Sequence, residues 1–133
     1  MIKRCMCRHI FYIFLMLTLW VRCGPKPSVS FNADLWRSDM NGCQKKRLNI
    51  YKNILEHRDE LLGLNNQKII KLLGRPERNE LYKRNQKFFV YSITPTAKCD
   101  VSYQGHSLYL FVRFNAVGLS QEIFIQERPG FDD

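Results

Sequence analysis

Five cysteines carry most of the reactive chemistry in this chain, at positions 5, 7, 23, 43 and 99. A thiol can be acylated, form a disulfide, bind a metal ion or act as a nucleophile. Cys43 and Cys99 remain once the N-terminal segment is set aside. They lack a Cys-x-x-Cys spacing, and only His57 and His106 could join them as soft ligands. We therefore predict no metal site, and a Cys43–Cys99 disulfide if the chain is exported to an oxidising compartment.

Cys23 is the candidate site of lipid attachment. A lipoprotein signal ends in apolar and small residues before the acylated cysteine, which Leu19 and Val21 suit, and "GPKPSVS" after Cys23 reads as a flexible tether. Arg22 departs from that pattern, because this position normally holds a small residue. Two alternatives stay open: cleavage by ordinary signal peptidase after Ser30, and an uncleaved N-terminal anchor.

The histidines and carboxylates do not form a catalytic constellation in the sequence. His57 lies in the charged run "EHRDE" and His106 in a turn, and neither has a nearby Ser or Cys with an orienting carboxylate. Glu56 with Asp59 or Glu60 reads as an acid pair on a helix surface. We predict no enzymatic activity, no catalytic residue, no cofactor and no small-molecule substrate.

The N-terminal segment has the features of a bacterial export signal. A basic cluster at 3–9 precedes the uncharged, mainly apolar run "IFYIFLMLTLWV" at 10–21. Signal peptides carry about 7 to 15 apolar residues, whereas a helix that crosses a bilayer needs roughly 20. Residues 1–22 are therefore predicted to be a signal peptide. Without them the net charge falls from +9 to +5, with 17 basic residues against 12 acidic ones. This charge is weak support for nucleic-acid binding, and we predict no nucleic-acid partner.

Hydrophobic periodicity predicts two helices followed by three strands. The stretch "QKKRLNIYKNILEHRDELLG" has apolar residues near the 3.6-residue period and predicts a helix from Gln44 to Leu62. The stretch "LNNQKIIKLLGRP" predicts a shorter helix that Asn65 or Asn66 caps and Gly74 ends. A β-rich stretch that is apolar on both faces predicts a strand at 86–94, and period-2 alternation predicts strands at 107–115 and 119–127.

The predicted fold class is α+β, with two N-terminal helices packed on one face of a three-stranded antiparallel β-meander. The basic stretch "RPERNELYKRNQK" at 75–87 reads as a solvated loop, because acidic residues interrupt it. The predicted domain organisation is a signal peptide at 1–22, a lipid-attachment cysteine with tether and lead-in at 23–43, a folded domain at 44–127 and a flexible tail at 128–133.

Three features follow one another in the second half of the chain: a helix that ends in "LLGRP", an aromatic strand at 88–91, and a hairpin with Phe114 and Gly118. In this order they resemble the small outer-membrane lipoproteins of the SmpA/OmlA (BamE-like) type, and the β-lactamase-inhibitory protein fold is similar. The resemblance covers roughly residues 44–127. It implies binding to proteins or envelope assembly and no chemistry. The motif "W-x-x-D-x-x-G-C", which resembles that of uncharacterised lipoproteins of this fold, occupies Trp36, Asp39, Gly42 and Cys43.

The sheet face turned away from the helices is the predicted partner-binding surface, because aromatic side chains beside an arginine are typical of protein interfaces. The first strand is apolar on both faces, so either Phe89, Tyr91 and Ile93 or Phe88 and Val90 belong to this surface. The alternative role of these rings is to stabilise cross-strand pairs or to lie under the lead-in. The predicted partner-binding residues are Phe89, Tyr91, Tyr109, Phe111, Arg113 and Phe124.

Together these features predict an exported, membrane-tethered lipoprotein with a small protein-binding domain, placed in the bacterial cell envelope as an outer-membrane lipoprotein that faces the periplasm. The resemblance favours an envelope assembly or scaffold role. The alternative is a periplasmic or surface inhibitor that binds one enzyme or toxin through its sheet face. The expected partners are an envelope protein and a membrane reached through the N-terminal lipid.

Overall fold

The computed structural model describes residues 29–99 and 106–129 of the chain. Within these ranges, three α-helices come first: α1 (Ala33–Arg37), α2 (Lys46–Glu56) and α3 (Asn66–Leu73). Short 3₁₀ turns at Met40–Gly42 and Arg58–Glu60 precede and follow α2. Four strands complete the described part of the chain: β1 (Arg78–Tyr82), β2 (Gln86–Ser92), β3 (His106–Phe114) and β4 (Ser120–Pro129). The predicted signal peptide, Cys23 and most of the predicted tail lie outside the described residues.

The strands form one antiparallel sheet in the order β1-β2-β3-β4, so the prediction of three strands was wrong. The additional strand, β1, occupies part of the stretch at 75–87 that was expected to be a solvated loop. Because β1 lies at the edge of the sheet, it tolerates exposed charged residues, and these residues made the stretch read as a loop. The turn into β2 has two adjacent non-glycine residues, Arg84 and Asn85, at positive φ, 55° and 59°. It lacks the Asn-Gly pair that marks a tight hairpin in a sequence.

The prediction of two helices was also wrong, because α1 is a third helix inside the expected lead-in. The Asn32 side chain caps α1 by accepting a hydrogen bond from the Leu35 N–H at 2.9 Å, and Trp36 is fully buried. The second helix is shorter than the predicted span from Gln44 to Leu62. A five-residue helix leaves almost no periodic signal, which explains why α1 was missed.

The predicted limits of α3 are confirmed. The Asn65 side chain accepts a hydrogen bond from the Lys68 N–H at 3.0 Å, which satisfies one of the free donors of the first turn. Gly74 ends the helix at φ +82°, a left-handed conformation that costs glycine little. Local sequence chemistry therefore sets both ends of this helix.

The helices pack on one face of the sheet. Apolar side chains of the helical layer meet a row of strand residues on that face, and this contact forms the main core. We call the opposite face of the sheet the outward face. The main core contains Phe31, Trp36, Ile54, Leu61, Ile69, Leu72, Leu73, Phe89, Tyr91, Ile93, Leu110, Val112, Phe114 and Ile123.

A buried ion pair joins α2 to the residue that precedes β1, beside the C-terminal end of β2. The Arg47 guanidinium donates to the Glu77 carboxylate at 2.7 Å, and their side chains are only 2% and 7% exposed. Arg47 also donates to the carbonyls of Ser92 and Trp36 at 2.9 and 3.1 Å. Glu77 accepts in addition from the backbone N–H groups of Asn41 and Ser92 at 3.0 and 3.1 Å. A buried pair satisfied in this way holds the helices to the sheet.

The "W-x-x-D-x-x-G-C" motif surrounds this ion pair and has a structural role. Asp39 accepts from the N–H groups of Gln44 and Arg47 at 2.7 and 3.0 Å, so it satisfies the start of α2. Gly42 has φ +68°, and a Cβ there would lie 2.7 Å from the Thr94 carbonyl oxygen. No other residue type fits this contact without a shift of the backbone.

The predicted disulfide between Cys43 and Cys99 is confirmed. It links residues 56 apart in the sequence and ties the segment before α2 to the loop that follows β2. Closing a loop of this length stabilises the fold by about 4 kcal/mol in the chain-entropy description. The disulfide and the Arg47–Glu77 pair therefore act at the same end of the sheet, which we call the clasp end.

Candidate protein-binding site

An aromatic cluster covers the centre of the outward face. It consists of Val90, Tyr109 and Phe111, with Phe88 and Phe124 packed against them. Antiparallel pairing produces this cluster, because β2, β3 and β4 place Val90, Phe111 and Phe124 directly opposite one another. Of the predicted partner-binding residues, Tyr109, Phe111, Arg113 and Phe124 belong to this face.

Phe89 and Tyr91 lie on the helix-facing side, so their placement on the outward face was wrong. Both are buried in the main core, and the Tyr91 hydroxyl donates to the Gly74 carbonyl at 3.1 Å. Burial, and then the negative charge of Glu77, raise the pKa of Tyr91 above its ordinary value. β2, which was the first strand of the predicted meander, contributes Phe88 and Val90 to the outward face, the second of the two sets that its sequence allowed.

Stacked rings and one arginine close the central part of the outward face. Phe111 is fully buried, and its ring stacks on that of Phe124 with the centroids 5.2 Å apart and the planes 7° from parallel. Phe88 meets both rings edge-on at 6.0 and 6.1 Å. The Arg128 guanidinium lies 4.3 Å from the Phe111 centroid and pairs with Glu80 at 3.2 Å. The centre of this face is therefore packed against its own neighbours.

The part of the outward face nearest to the turn between β1 and β2 is open. A groove of about 230 Å³ runs there between aromatic rings and an ion pair. Arg113 donates to Glu122 at 2.8 Å and to Gln86 at 3.2 Å, while Glu122 is half exposed. We call this feature the aromatic groove; it is lined by Tyr82, Phe88, Arg113, Glu122 and Phe124.

Tyr82 and Glu122 were not among the predicted binding residues. Tyr82 is 51% exposed and meets Phe88 edge-on at 5.2 Å, so it forms one wall of the aromatic groove. Recognising β1 as a strand would have placed Tyr82 on the same face as Glu80, two residues earlier. Glu122 lies two residues before Phe124 on β4 and therefore on the same face, so the period-2 pattern already contained this position.

The other chemistry-bearing residues of the described part do not form a second site. His57 Nδ1 lies 2.9 Å from the Asn53 carbonyl, and His106 is largely exposed with Glu127 at 3.9 Å. Within 29–99 and 106–129, no group of three or more His, Cys, Asp or Glu residues is placed to hold a metal ion. In the same ranges no helix has the length and apolar character needed to cross a bilayer.

No protein-family model, curated protein or solved structure matches the chain. The resemblance to SmpA/OmlA-type lipoproteins therefore stays a prediction from sequence motifs. The functional interpretation depends on the geometry of the outward face and on the chemistry of the cysteines.

Proposed function

We propose that this chain is an exported lipoprotein, held at a membrane through Cys23, whose α+β domain binds an envelope protein. The observation that carries the binding proposal is the aromatic groove, where aromatic rings and the Arg113–Glu122 ion pair share one open surface. Aromatic residues and arginine dominate the energetics of protein interfaces. The proposal of export is supported by the Cys43–Cys99 disulfide, because disulfides persist mainly in oxidising compartments.

The size of the aromatic groove favours a protein partner over a small molecule. Pockets for small molecules enclose about 300 to 1,000 Å³ and bury most of the ligand surface. The aromatic groove is smaller, about 230 Å³, and one of its walls, Tyr82, is half exposed. A side chain that protrudes from a partner, such as an aromatic or aliphatic residue, suits this shape.

An assembly or scaffold role in the bacterial envelope is proposed from the sequence resemblance, and inhibition of one enzyme or toxin is the alternative. Co-purification of the full chain from envelope extracts distinguishes them. An assembly factor recovers membrane-assembly machinery, whereas an inhibitor recovers one enzyme whose activity falls on binding.

A variant pair links the recovered partner to the aromatic groove. Arg113→Glu places a second carboxylate beside Glu122, so we expect recovery of the partner to fall at least tenfold. Lys52→Glu on the exposed side of α2 introduces the same charge change on the helical layer and should leave recovery unchanged. Equal recovery by both variants would show that the partner binds elsewhere.

The export and anchor parts of the proposal have a separate test. A reporter fused behind residue 30 should be active outside the cytosol, and metabolic labelling with palmitate should depend on Cys23. Cys23→Ala is expected to lose the label and to move the protein to the soluble fraction. A reporter retained in the cytosol would overturn the export proposal together with the envelope location.

A further inference from the structure

The exposed apolar side chains of the domain concentrate at one end of the sheet. Because Lys87 pairs with Phe114, the turn before β2 and the turn after β3 lie side by side; we call this the hairpin end. Four of the seven large apolar side chains that are exposed in the described part of the chain lie there. They are Leu81 at 88%, Tyr82 at 51%, Val117 at 79% and Leu119 at 39% exposure.

The charged residues in the two turns of the hairpin end are all positive. A carboxylate, Glu60, also lies at this end, where it accepts a hydrogen bond from the Ser30 N–H at 2.8 Å. Residues 81–87 contain Lys83, Arg84 and Lys87 and no carboxylate, and residues 115–121 carry no charge. The carboxylates that come next along β1 and β4, Glu80 and Glu122, are each engaged in an ion pair. Exposed apolar tips among lysine and arginine are the composition of surfaces that bind anionic lipid.

The chain also enters the domain at the hairpin end. The Ser30 N–H donates to the Glu60 carboxylate at 2.8 Å, and the carbonyl of the next residue, Leu61, accepts from the Ser120 hydroxyl at 2.5 Å. Ser120 is the first residue of β4, directly after the second turn. Cys23 precedes Ser30 by seven residues, which span roughly 25 Å at full extension. An anchor at Cys23 would therefore keep this end close to the bilayer, a step that rests on the proposed function.

We propose that the hairpin end docks on an anionic lipid surface. Leu81 and Val117 enter the boundary between headgroups and acyl chains, while Lys83 and Arg84 contact anionic headgroups. The four strands make this end roughly 14 Å wide at the usual strand spacing, so both turns reach the surface together. The aromatic groove opens beside the same turn, so docking would present it to partners at the membrane.

Hydrogen exchange of the full chain in proteoliposomes tests this docking. Vesicles of neutral phosphatidylcholine are compared with vesicles that also contain phosphatidylglycerol. The amides of 81–87 and 115–119 are expected to exchange more slowly only on the anionic vesicles. Each basic residue near such a surface contributes about fivefold, so Lys83→Glu/Arg84→Glu should weaken docking at least roughly 30-fold and abolish the protection.

Matched variants at the clasp end provide the controls. Lys45→Glu/Lys46→Glu makes the same charge change. Lys45 also has a positive φ, 58°, which is close to the 55° of Arg84. Met40→Ser, at a side chain that is 60% exposed, controls for Leu81→Ser/Val117→Ser. The control variants should keep the protection of the wild-type chain, and Leu81→Ser/Val117→Ser should lose it.

The outcomes separate the docking from the anchor. Equal exchange on both kinds of vesicle, with the chain still lipid-bound, overturns the docking and leaves the anchor standing. If Cys23→Ala leaves membrane attachment unchanged, the lipid anchor falls, and docking is then judged by co-sedimentation of the full chain with anionic vesicles. In that assay, unchanged binding by Lys83→Glu/Arg84→Glu overturns the docking. If soluble polyglutamate protects the same amides as strongly as the anionic vesicles do, the surface is assigned to acidic polymers. That result also overturns the docking on lipid.

Discussion

The two faces of one sheet are closed in different ways. On the helix-facing side, Phe89 and Tyr91 are buried in the main core, and the Arg47–Glu77 pair beside them is almost fully buried. On the outward face, Phe111 lies beneath a stacked ring and Arg128, whose ion pair with Glu80 leaves both side chains 29% exposed. Two rings can therefore be equally buried and still differ in how far the fold depends on their contacts. Side chains that also face solvent can exchange their contacts for those of a partner.

The substitution of Arg47 should have the largest effect of the changes that test this difference between the two faces. Arg47→Ala leaves the Glu77 carboxylate buried without its cation, which we expect to lower the free energy of unfolding by about 3–5 kcal/mol. Arg113→Ala is the matched change on the outward face, where the ion pair is 29% and 51% exposed, and should cost about 1 kcal/mol or less. Urea unfolding of both variants measures the difference. Similar losses would contradict the distinction between the faces.

Opening the disulfide tests whether the clasp end acts independently of the aromatic groove. Cys43→Ala/Cys99→Ala should lower the free energy of unfolding by about 4 kcal/mol, because the unfolded chain regains the freedom of the open loop. The wild-type protein should show the same loss with reductant, while the variant should be insensitive to reductant. Hydrogen exchange should then rise first around Ser92 and Thr94. If hydrogen exchange rises first at Phe88, near the other end of β2, the disulfide does not act at the clasp end.

The stacked rings of the outward face provide a smaller and more specific test. A double-mutant cycle with Phe111→Leu and Phe124→Leu should give a coupling energy of about 0.5–1.5 kcal/mol, the usual range for paired aromatic rings. The same cycle on Phe89 and Phe114, whose ring centroids are 4.6 Å apart on the helix-facing side, serves as the reference. A coupling near zero for Phe111 and Phe124 would show that the outward rings do not pack as a unit.

Glu60 gives the smallest effect, at the point where the N-terminal segment joins the domain. Hydrogen bonds from Ser30 hold the pKa of Glu60 below its ordinary value of 4.5. The stabilisation that this contact gives to the folded state is therefore fully present above pH 4.5, and it is lost as the pH falls through the lowered pKa of Glu60. Ser30→Pro removes the backbone donor and should return the pKa measured by NMR towards 4.5, whereas Ser30→Ala keeps that donor and should retain part of the shift. An unchanged pKa in Ser30→Pro would refute this contact.

Local chemistry in the sequence predicts some of these features and leaves others open. The caps of α3 follow from two single residues, Asn65 and Gly74, and the two faces of β3 follow from its period-2 alternation. Both features were predicted correctly. The outward residues of β2 were not, because "FFVY" is apolar on both faces and only the pairing of Phe88 with Arg113 decides its orientation.

The clasp shows a different limit of sequence analysis. Arg47 follows the helical spacing of the buried Ile54 and of the partly buried Ile50 and Tyr51, so its position on the buried side of α2 was readable. Its partner Glu77 lies 30 residues away, in the stretch that was expected to be a solvated loop. A pair of this kind is set by tertiary structure, and no local pattern identifies it.

Site-specific photo-crosslinking in cells tests the central claim, that a protein partner binds at the aromatic groove, most directly. A photoreactive phenylalanine is introduced at Tyr82 in one version of the full chain and at Lys52 on α2 in another. We predict one strong crosslinked protein in the envelope fraction from position 82, its loss on addition of Arg113→Glu, and none from position 52. Equal crosslinks from both positions, or a crosslink at 82 that is unaffected by Arg113→Glu, would contradict the account.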